Sequence, residues 1–147
     1  MKQQIELPAY QSEIERFCGL VETTFWPECI ILHGSITRGT YTQSSDIDII
    51  VIGDRLPENF FERLYELNRL RDGTAPIEVV GYTLAEWEQM MEQLHLTVLE
   101  ALHWGIPLHG QSLFEKWQTK LEKWKSIGLR RDTMSWSIPP VLQQQMP

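Results

Sequence analysis

Leu32-His33-Gly34-Ser35-Ile36-Thr37-Arg38-Gly39, followed after a polar stretch by Ser44-Ser45-Asp46-Ile47-Asp48-Ile49-Ile50-Val51-Ile52, decides the fold of this chain. Ahead of it, Cys29-Ile30-Ile31-Leu32 is a short apolar run behind Pro27 and closed by glycine. Its length and β-branched content read as a buried strand. Gly34 lacks a Cβ, so the backbone can turn sharply there and approach a ligand closely. Ser35 can cap a short helix after the turn. Past Asp48 the run is apolar at every position, as a central strand with both faces covered requires.

The same residues carry chemistry. Asp46 and Asp48 have strand spacing and project to one face, with Ile47 and Ile49 projecting to the other. Two carboxylates at a strand end can hold one or two Mg²⁺ ions, which take a few carboxylates together with phosphate oxygens and water. In a two-metal site the ions lie roughly 3.5–4 Å apart and stabilise the attacking and leaving oxygens. The N–H groups after Gly34-Ser35 sit at the positive end of the helix dipole, which favours an anion. Arg38, one turn on, can add a forked donor for phosphate oxygens. Pro76-Ile77-Glu78-Val79-Val80-Gly81 reads as a further strand in which Glu78 is the one charge. A charge in a buried strand is costly unless paired or metal-bound, which makes Glu78 the candidate third carboxylate. A lone Asp-x-Asp is most often a turn or solvated edge, and a lone Gly-Ser is most often just a turn. Their joint occurrence between two apolar strands is what points to chemistry on a nucleoside triphosphate.

Gly34-Ser35-x-x-Arg38-Gly39 followed by Ser45-Asp46-Ile47-Asp48 resembles the signature of the polymerase-β-type nucleotidyltransferase superfamily. With so short a chain, the resemblance is strongest to the minimal nucleotidyltransferases of bacteria and archaea. It implies that Asp46, Asp48 and Glu78 are the catalytic residues that hold two Mg²⁺ ions, and that Gly34, Ser35 and Arg38 contact the triphosphate. ATP is the first-choice substrate on this resemblance alone. One departure stands out: the third acid in the family is usually Asp, and here it is Glu78. The implied reaction is attack of an acceptor hydroxyl on the α-phosphorus, with pyrophosphate leaving and Glu78 able to assist removal of the acceptor proton.

Three acceptors remain open. Minimal nucleotidyltransferases often pair with a helical HEPN-domain toxin and adenylylate it, which would make this chain the antitoxin. Aminoglycoside-type enzymes share the Gly-Ser and Asp-x-Asp signature but typically bring a larger second domain. A non-catalytic module of the same fold could instead block a partner sterically. The formal net charge of −7 argues against nucleic acid, which needs a basic footprint.

At 147 residues the chain reads as one domain over 1–147. Its catalytic core spans about 10–82, a helical extension about 83–137 and a tail 138–147. The expected fold class is α/β (α+β), a small mixed β-sheet with flanking helices and the site on one edge. No apolar run reaches the roughly 18 residues of a membrane helix, and Met1-Lys2-Gln3-Gln4 begins no signal peptide. Cys18 and Cys29 lack metal spacing and read as buried free thiols of a cytoplasmic protein.

Ser12 with Glu15, Thr83 with Glu86, and Ser112 with Glu115 fit the capping-box pattern of helix starts. A helix is expected from about Pro57 to Arg71, with Gly73 as its stop. The apolar positions after Thr83 run to Gly105 as one long helix or two short ones. Ile106-Pro107-Leu108-His109-Gly110 looks extended, and a last helix spans about Leu113 to Ile127. Its stripe of Leu113, Trp117, Leu121 and Trp124 reads as core packing or a helix–helix interface, with a base-stacking platform as the minority reading, and the closing helical region as a whole could shape the acceptor pocket or make a surface for a homo-oligomer or partner. The histidines at 33, 95, 103 and 109 form no ligand cluster, and His33 suits a supporting role beside the turn. The residues from Ile138 onward read as irregular.

Overall fold

The computed structural model describes residues 8–34, 37, 46–132 and 135–143. Helix α1 (Pro8–Phe25) leads into β1 (Cys29–His33) and β2 (Ile47–Ile52). Then come α2 (Phe60–Asn68), β3 (Ile77–Tyr82), α3 (Leu84–Glu92), α4 (Leu96–Trp104), β4 (Ile106–His109) and α5 (Gln111–Ser126). A two-stranded ribbon of β5 (Arg130–Arg131) and β6 (Trp136–Ser137) and a helical turn α6 (Pro140–Gln143) close the described chain.

The main sheet has the order β3-β2-β1-β4. β1 is antiparallel to both β2 and β4, whereas β2 and β3 are parallel. The sheet is mixed, as expected, and the apolar β2 lies inside it. Side-chain alternation sorts the core into two layers. Ile47, Ile49 and Val51 join Ile30, Leu32, Ile77 and Val79 beneath α1 and Leu67 of α2. Ile50 and Ile52 join Cys29 and Ile31 beneath α3, α4 and α5. Asp48 is in phase with Ile50, so the functional face is the one that the later helices cover.

Those helices begin and end for local reasons. Thr83 and Glu86 form a complete capping box at α3. The apolar segment after it breaks into two helices, because Leu94 adopts a left-handed φ of 51° and His95 caps α4 through its ring nitrogen. Two expected caps are not used. α1 starts at Pro8, four residues before Ser12, and α5 starts at Gln111 behind a left-handed Gly110. α2 is shorter than expected and is capped by the Asn59 side chain, which accepts from the Glu62 N–H. The tryptophan stripe packs inward: Trp117 and Leu121 are buried, and Trp87 stacks on Trp117 at 5.7 Å. Ile138 onward is not wholly irregular, since Leu142 of α6 is buried in the same layer. Residues 144–147 lie outside the described residues.

β3 is an edge strand, and two arginines blunt it. Arg71 donates to the Ile77 carbonyl, and Arg63 donates to the Gly81 carbonyl at 3.0 Å. Covered carbonyls leave that edge poorly suited to pairing with another strand. Gly81 also lets α2 approach, because a Cβ there would lie 2.8 Å from the Leu67 Cδ1 and 2.9 Å from the Arg63 Cδ.

Both cysteines are buried thiols outside any disulfide. Burial pushes the Cys29 thiol up to about 12, against a slight lowering by the Ile30 N–H. A thiol at that value is almost wholly protonated near neutral pH, and only the thiolate reacts. Cys18 is shielded by its burial, so neither cysteine should react with an aromatic disulfide reagent in the native protein at pH 8. Both should react after unfolding in guanidinium, and rapid native labelling at Cys29 would contradict the packing.

Candidate active site

The site is assembled at one end of the sheet. The antiparallel register sets His33 opposite Asp48, and the parallel register sets Asp48 beside Glu78. Cross-strand partners share a face, so His33, Asp48 and Glu78 form one row across three strands. Asp46 lies just ahead of β2 and is exposed. Asp48 is half-buried and Glu78 is exposed. Glu78 is not the buried charge that a central strand would make it: it sits on an edge strand in water, so its charge escapes the cost of burial. Its register beside Asp48 is what places it at the site. Among the described residues no three His, Cys, Asp or Glu side chains group closely enough to hold a metal ion as they stand.

Gly34 closes β1 with a φ of 90°. Its carbonyl accepts from the Thr37 N–H at 3.1 Å and from Thr37 Oγ1 at 2.9 Å, which fixes the turn. A Cβ on Gly34 would stand 2.2 Å from the Asp48 Oδ2. Glycine is thus required twice, for its backbone angle and for the carboxylate it makes room for. Gly34→Ala should cost about 1–3 kcal/mol of stability and displace Asp48. Thermal melting checks the first effect and a crystal structure of the variant checks the second. Ser35 and Arg38 lie outside the described residues.

Two cavities meet at His33 and Asp48. The larger, about 590 Å³, runs from them past Glu78 to Asn68 and Arg71 at the end of α2. The smaller, about 270 Å³, lies between Gly34 and the Thr97, Glu100 and Trp104 side of α4. Thr97, Glu100 and Trp104 escaped the reading of the sequence. Their spacing of three and four residues places them on one helix stripe, a signal hidden by the apolar Val98, Leu99 and Leu102 among them.

Glu100 ties the ribbon to the site. Arg131 grips it with two bonds of 2.9 and 3.0 Å, and Trp136 Nε1 donates to it at 3.0 Å. The Arg131 guanidinium also lies over the Trp104 ring, 5.3 Å from its centroid. The Arg130-Arg131 pair does not make a free basic patch, since Arg131 is committed to this wall. Burial lowers the His103 imidazole below its ordinary value, with the charges of Lys125 and Arg131 adding to the effect. It is neutral near pH 7 and packs edge-on against Trp104 and Trp136 at 4.9 and 5.5 Å. None of the four histidines joins another in a ligand cluster among the described residues.

A family model for the nucleotidyltransferase domain matches residues 15–101, which includes every strand and turn of the site. No curated protein is significantly similar in sequence. Among solved structures, a mutant form of the toxin–antitoxin MntA-HpeT is 23% identical over 78% of this chain and 86% of the other, with a TM-score of 0.51. A toxin–antitoxin with AMP-PNP is 23% identical over 77% and 87%, with a TM-score of 0.49. A protein of Sulfolobus solfataricus assigned as a nucleotidyltransferase is 25% identical over 53% and 70%, with a TM-score of 0.45. The first of these supports the fold alone.

Proposed function

The chain belongs to the nucleotidyltransferase domain family, and on that premise we propose that it transfers AMP from ATP to a hydroxyl of a partner protein. The observation that carries this reading is the row of His33, Asp48 and Glu78 across three strands, with Gly34 making room for the Asp48 carboxylate. The donor set is all carboxylate oxygen, and its Asp48 and Glu78 line the larger cavity, which suits Mg²⁺ with phosphate oxygens and water completing its shell. Asp46, Asp48 and Glu78 would hold it. When bound, magnesium neutralises charge on the phosphates and the leaving pyrophosphate.

The chain's own residues do the rest. The turn after Gly34, with Ser35 and Arg38, binds and orients the triphosphate. The covering helices keep water from the inner sheet face. The acceptor oxygen bonds to the α-phosphorus, the bond to the β-phosphate oxygen breaks, and the acceptor proton passes to the Glu78 carboxylate. Catalysis of this kind is mostly positioning and electrostatics.

A protein acceptor is favoured by the net charge of −7, which disfavours nucleic acid. MntA-HpeT, whose fold is similar, is a toxin–antitoxin. On the resemblance to minimal nucleotidyltransferases, a HEPN-type toxin is the proposed partner, and added phosphate charge and bulk on its hydroxyl would inactivate it. ATP as substrate and buried thiols outside any disulfide go with a cytoplasmic setting. Among the described residues no helix is long and apolar enough to cross a membrane.

The test is to incubate the protein with the product of its neighbouring gene, ATP and Mg²⁺, and to weigh that product by intact mass spectrometry. A gain of one AMP that disappears with Asp46→Asn plus Asp48→Asn is expected. If the double variant neutralises the partner equally well and without mass change, blocking by binding is the function.

A further inference from the structure

We propose that the acceptor protein docks on the outer face of α2, which guides its hydroxyl into the larger cavity beside Glu78. This rests on the protein-acceptor reading above and adds where that protein sits and what chemistry its surface has. Phe61 and Tyr65 are 78% and 66% exposed, which is rare for side chains that bury so much apolar area in a core. Phe60 stands edge-on to Phe61 at 5.9 Å and is 41% exposed. With Asn68, Phe61 and Tyr65 fall at spacings of four and three residues, on one helix face. The stripe covers roughly 10 Å of helix, by the rise per residue. Its far end is the cavity itself, because Asn68 and Arg71 line the same space as Asp48 and Glu78.

Two further observations select the occupant. The β3 edge next to this stripe is blunted by Arg63 and Arg71, so an acceptor cannot readily add as a strand and must use the helix face. Glu62 and Glu66 flank the aromatics, with Glu58 just ahead of the helix. Of the exposed cations at the C-terminal border of α2, Arg69 is paired with Glu66 at 3.4 Å and Arg71 is turned onto the Ile77 carbonyl. An apolar stripe between carboxylates fits a basic surface with apolar residues around the modified hydroxyl. A second copy of this chain fits poorly, since it carries a net charge of −7 and would oppose carboxylate to carboxylate.

The experiment uses the full chain, its neighbouring gene product as acceptor, and ATP with Mg²⁺. Phe61→Ser plus Tyr65→Ser should lower kcat/KM for transfer to the protein by at least about tenfold, mainly through KM, as loss of aromatic interface anchors does. Calorimetric affinity for ATP with Mg²⁺ and the melting temperature should match the parent. Glu58→Lys plus Glu62→Lys should also raise KM for the protein acceptor, and more so at low salt. Transfer unchanged in both double variants overturns the docking face while leaving the transferase intact. A parent dimer by light scattering that the aromatic variant converts to monomer also overturns it, because the stripe is then a self-interface. No mass gain even with the parent chain defeats the protein-acceptor reading and the docking face together.

Discussion

Asp48→Asn should abolish most nucleotidyl transfer and leave the fold in place. The substitution keeps the shape of the side chain and removes its charge, so circular dichroism and the melting curve should stay close to the parent. Asp48 stands between His33 and Glu78 at the open end of β2, with Gly34 behind it. It is the member of the proposed carboxylate set held by neighbours on both sides. Losing one electrostatic contributor of this kind costs about 10²–10³-fold in rate. Adding Asp46→Asn should remove the remaining metal affinity and with it most of the affinity for ATP. Calorimetry with ATP should then show binding that depends on Mg²⁺ in the parent and is weak in the double variant under both conditions. Equal affinity with and without metal in the parent would sink the two-metal reading.

Glu78→Gln separates the roles further. Glu78 is exposed on the edge strand and lines the larger cavity with Asn68 and Arg71. If it receives the acceptor proton, the variant should lose turnover more than it loses ATP affinity. Equal losses in both would make it a metal holder only.

Much of this arrangement is legible in the residues because local and long-range signals agree there. The continuous apolar run Ile49-Ile50-Val51-Ile52 has one stable home, a strand covered on both faces, and that is where it lies. Thr83 and Glu86 are three residues apart at the start of an amphipathic segment, and the capping box forms. Elsewhere the pattern permits more than one outcome. Ser12 and Ser112 carry the same signal, but helical packing already extends past them, and nothing local forbids a turn more of helix. The break at Leu94 has no glycine to announce it. Leucine tolerates φ 51° there because the Leu94 side chain is buried against the α5 layer and His95 caps the next helix. Glu78 looks like a buried charge in its own apolar strand but lies on an edge, because strand order is not readable from a single strand. What survives is a register, and register depends on pairing partners far along the chain. The α4 wall is the same kind of case: Thr97, Glu100 and Trp104 acquire meaning only when the helix is laid across the end of β1 and β2.

Among the described charged residues, Arg63 is the one whose loss should cost the most stability. Its side chain is 1% exposed, and each of its three nitrogens donates to a fixed acceptor. Nε bonds the Pro57 carbonyl at 2.9 Å and Nη2 the Glu58 carbonyl at 3.1 Å. Nη1 reaches both the Gly81 carbonyl at 3.0 Å and Glu86 Oε1 at 2.8 Å. One guanidinium thereby joins the loop before α2, the edge strand β3 and the cap of α3. Arg63→Ala removes these bonds, strands the buried Gly81 carbonyl and leaves a cavity beneath α2. Leaving a buried acceptor without its donor costs about 1–3 kcal/mol, and the cavity adds to that. Arg63→Met restores volume but no donors, and should recover only part of that. The ion pair with Glu86 is the lesser share, because that carboxylate is 46% exposed and screened by water. Burial raises the Glu86 carboxyl, yet the Thr83 N–H and the Arg63 charge outweigh it and hold it below its ordinary value of 4.5. A depressed carboxyl stabilises the fold above its unfolded pKa, and that stability is lost as pH falls through the folded value. The parent should thus lose this increment in mild acid, and Arg63→Met should lose less of it, with the Thr83 cap still in place. Urea unfolding midpoints at pH 7 and pH 3.5 measure both effects. A loss below about 1 kcal/mol for Arg63→Ala at pH 7 would mean that water satisfies the orphaned carbonyl. In that case α2 is held by Leu67 and Leu56 in the apolar layer and not by the guanidinium.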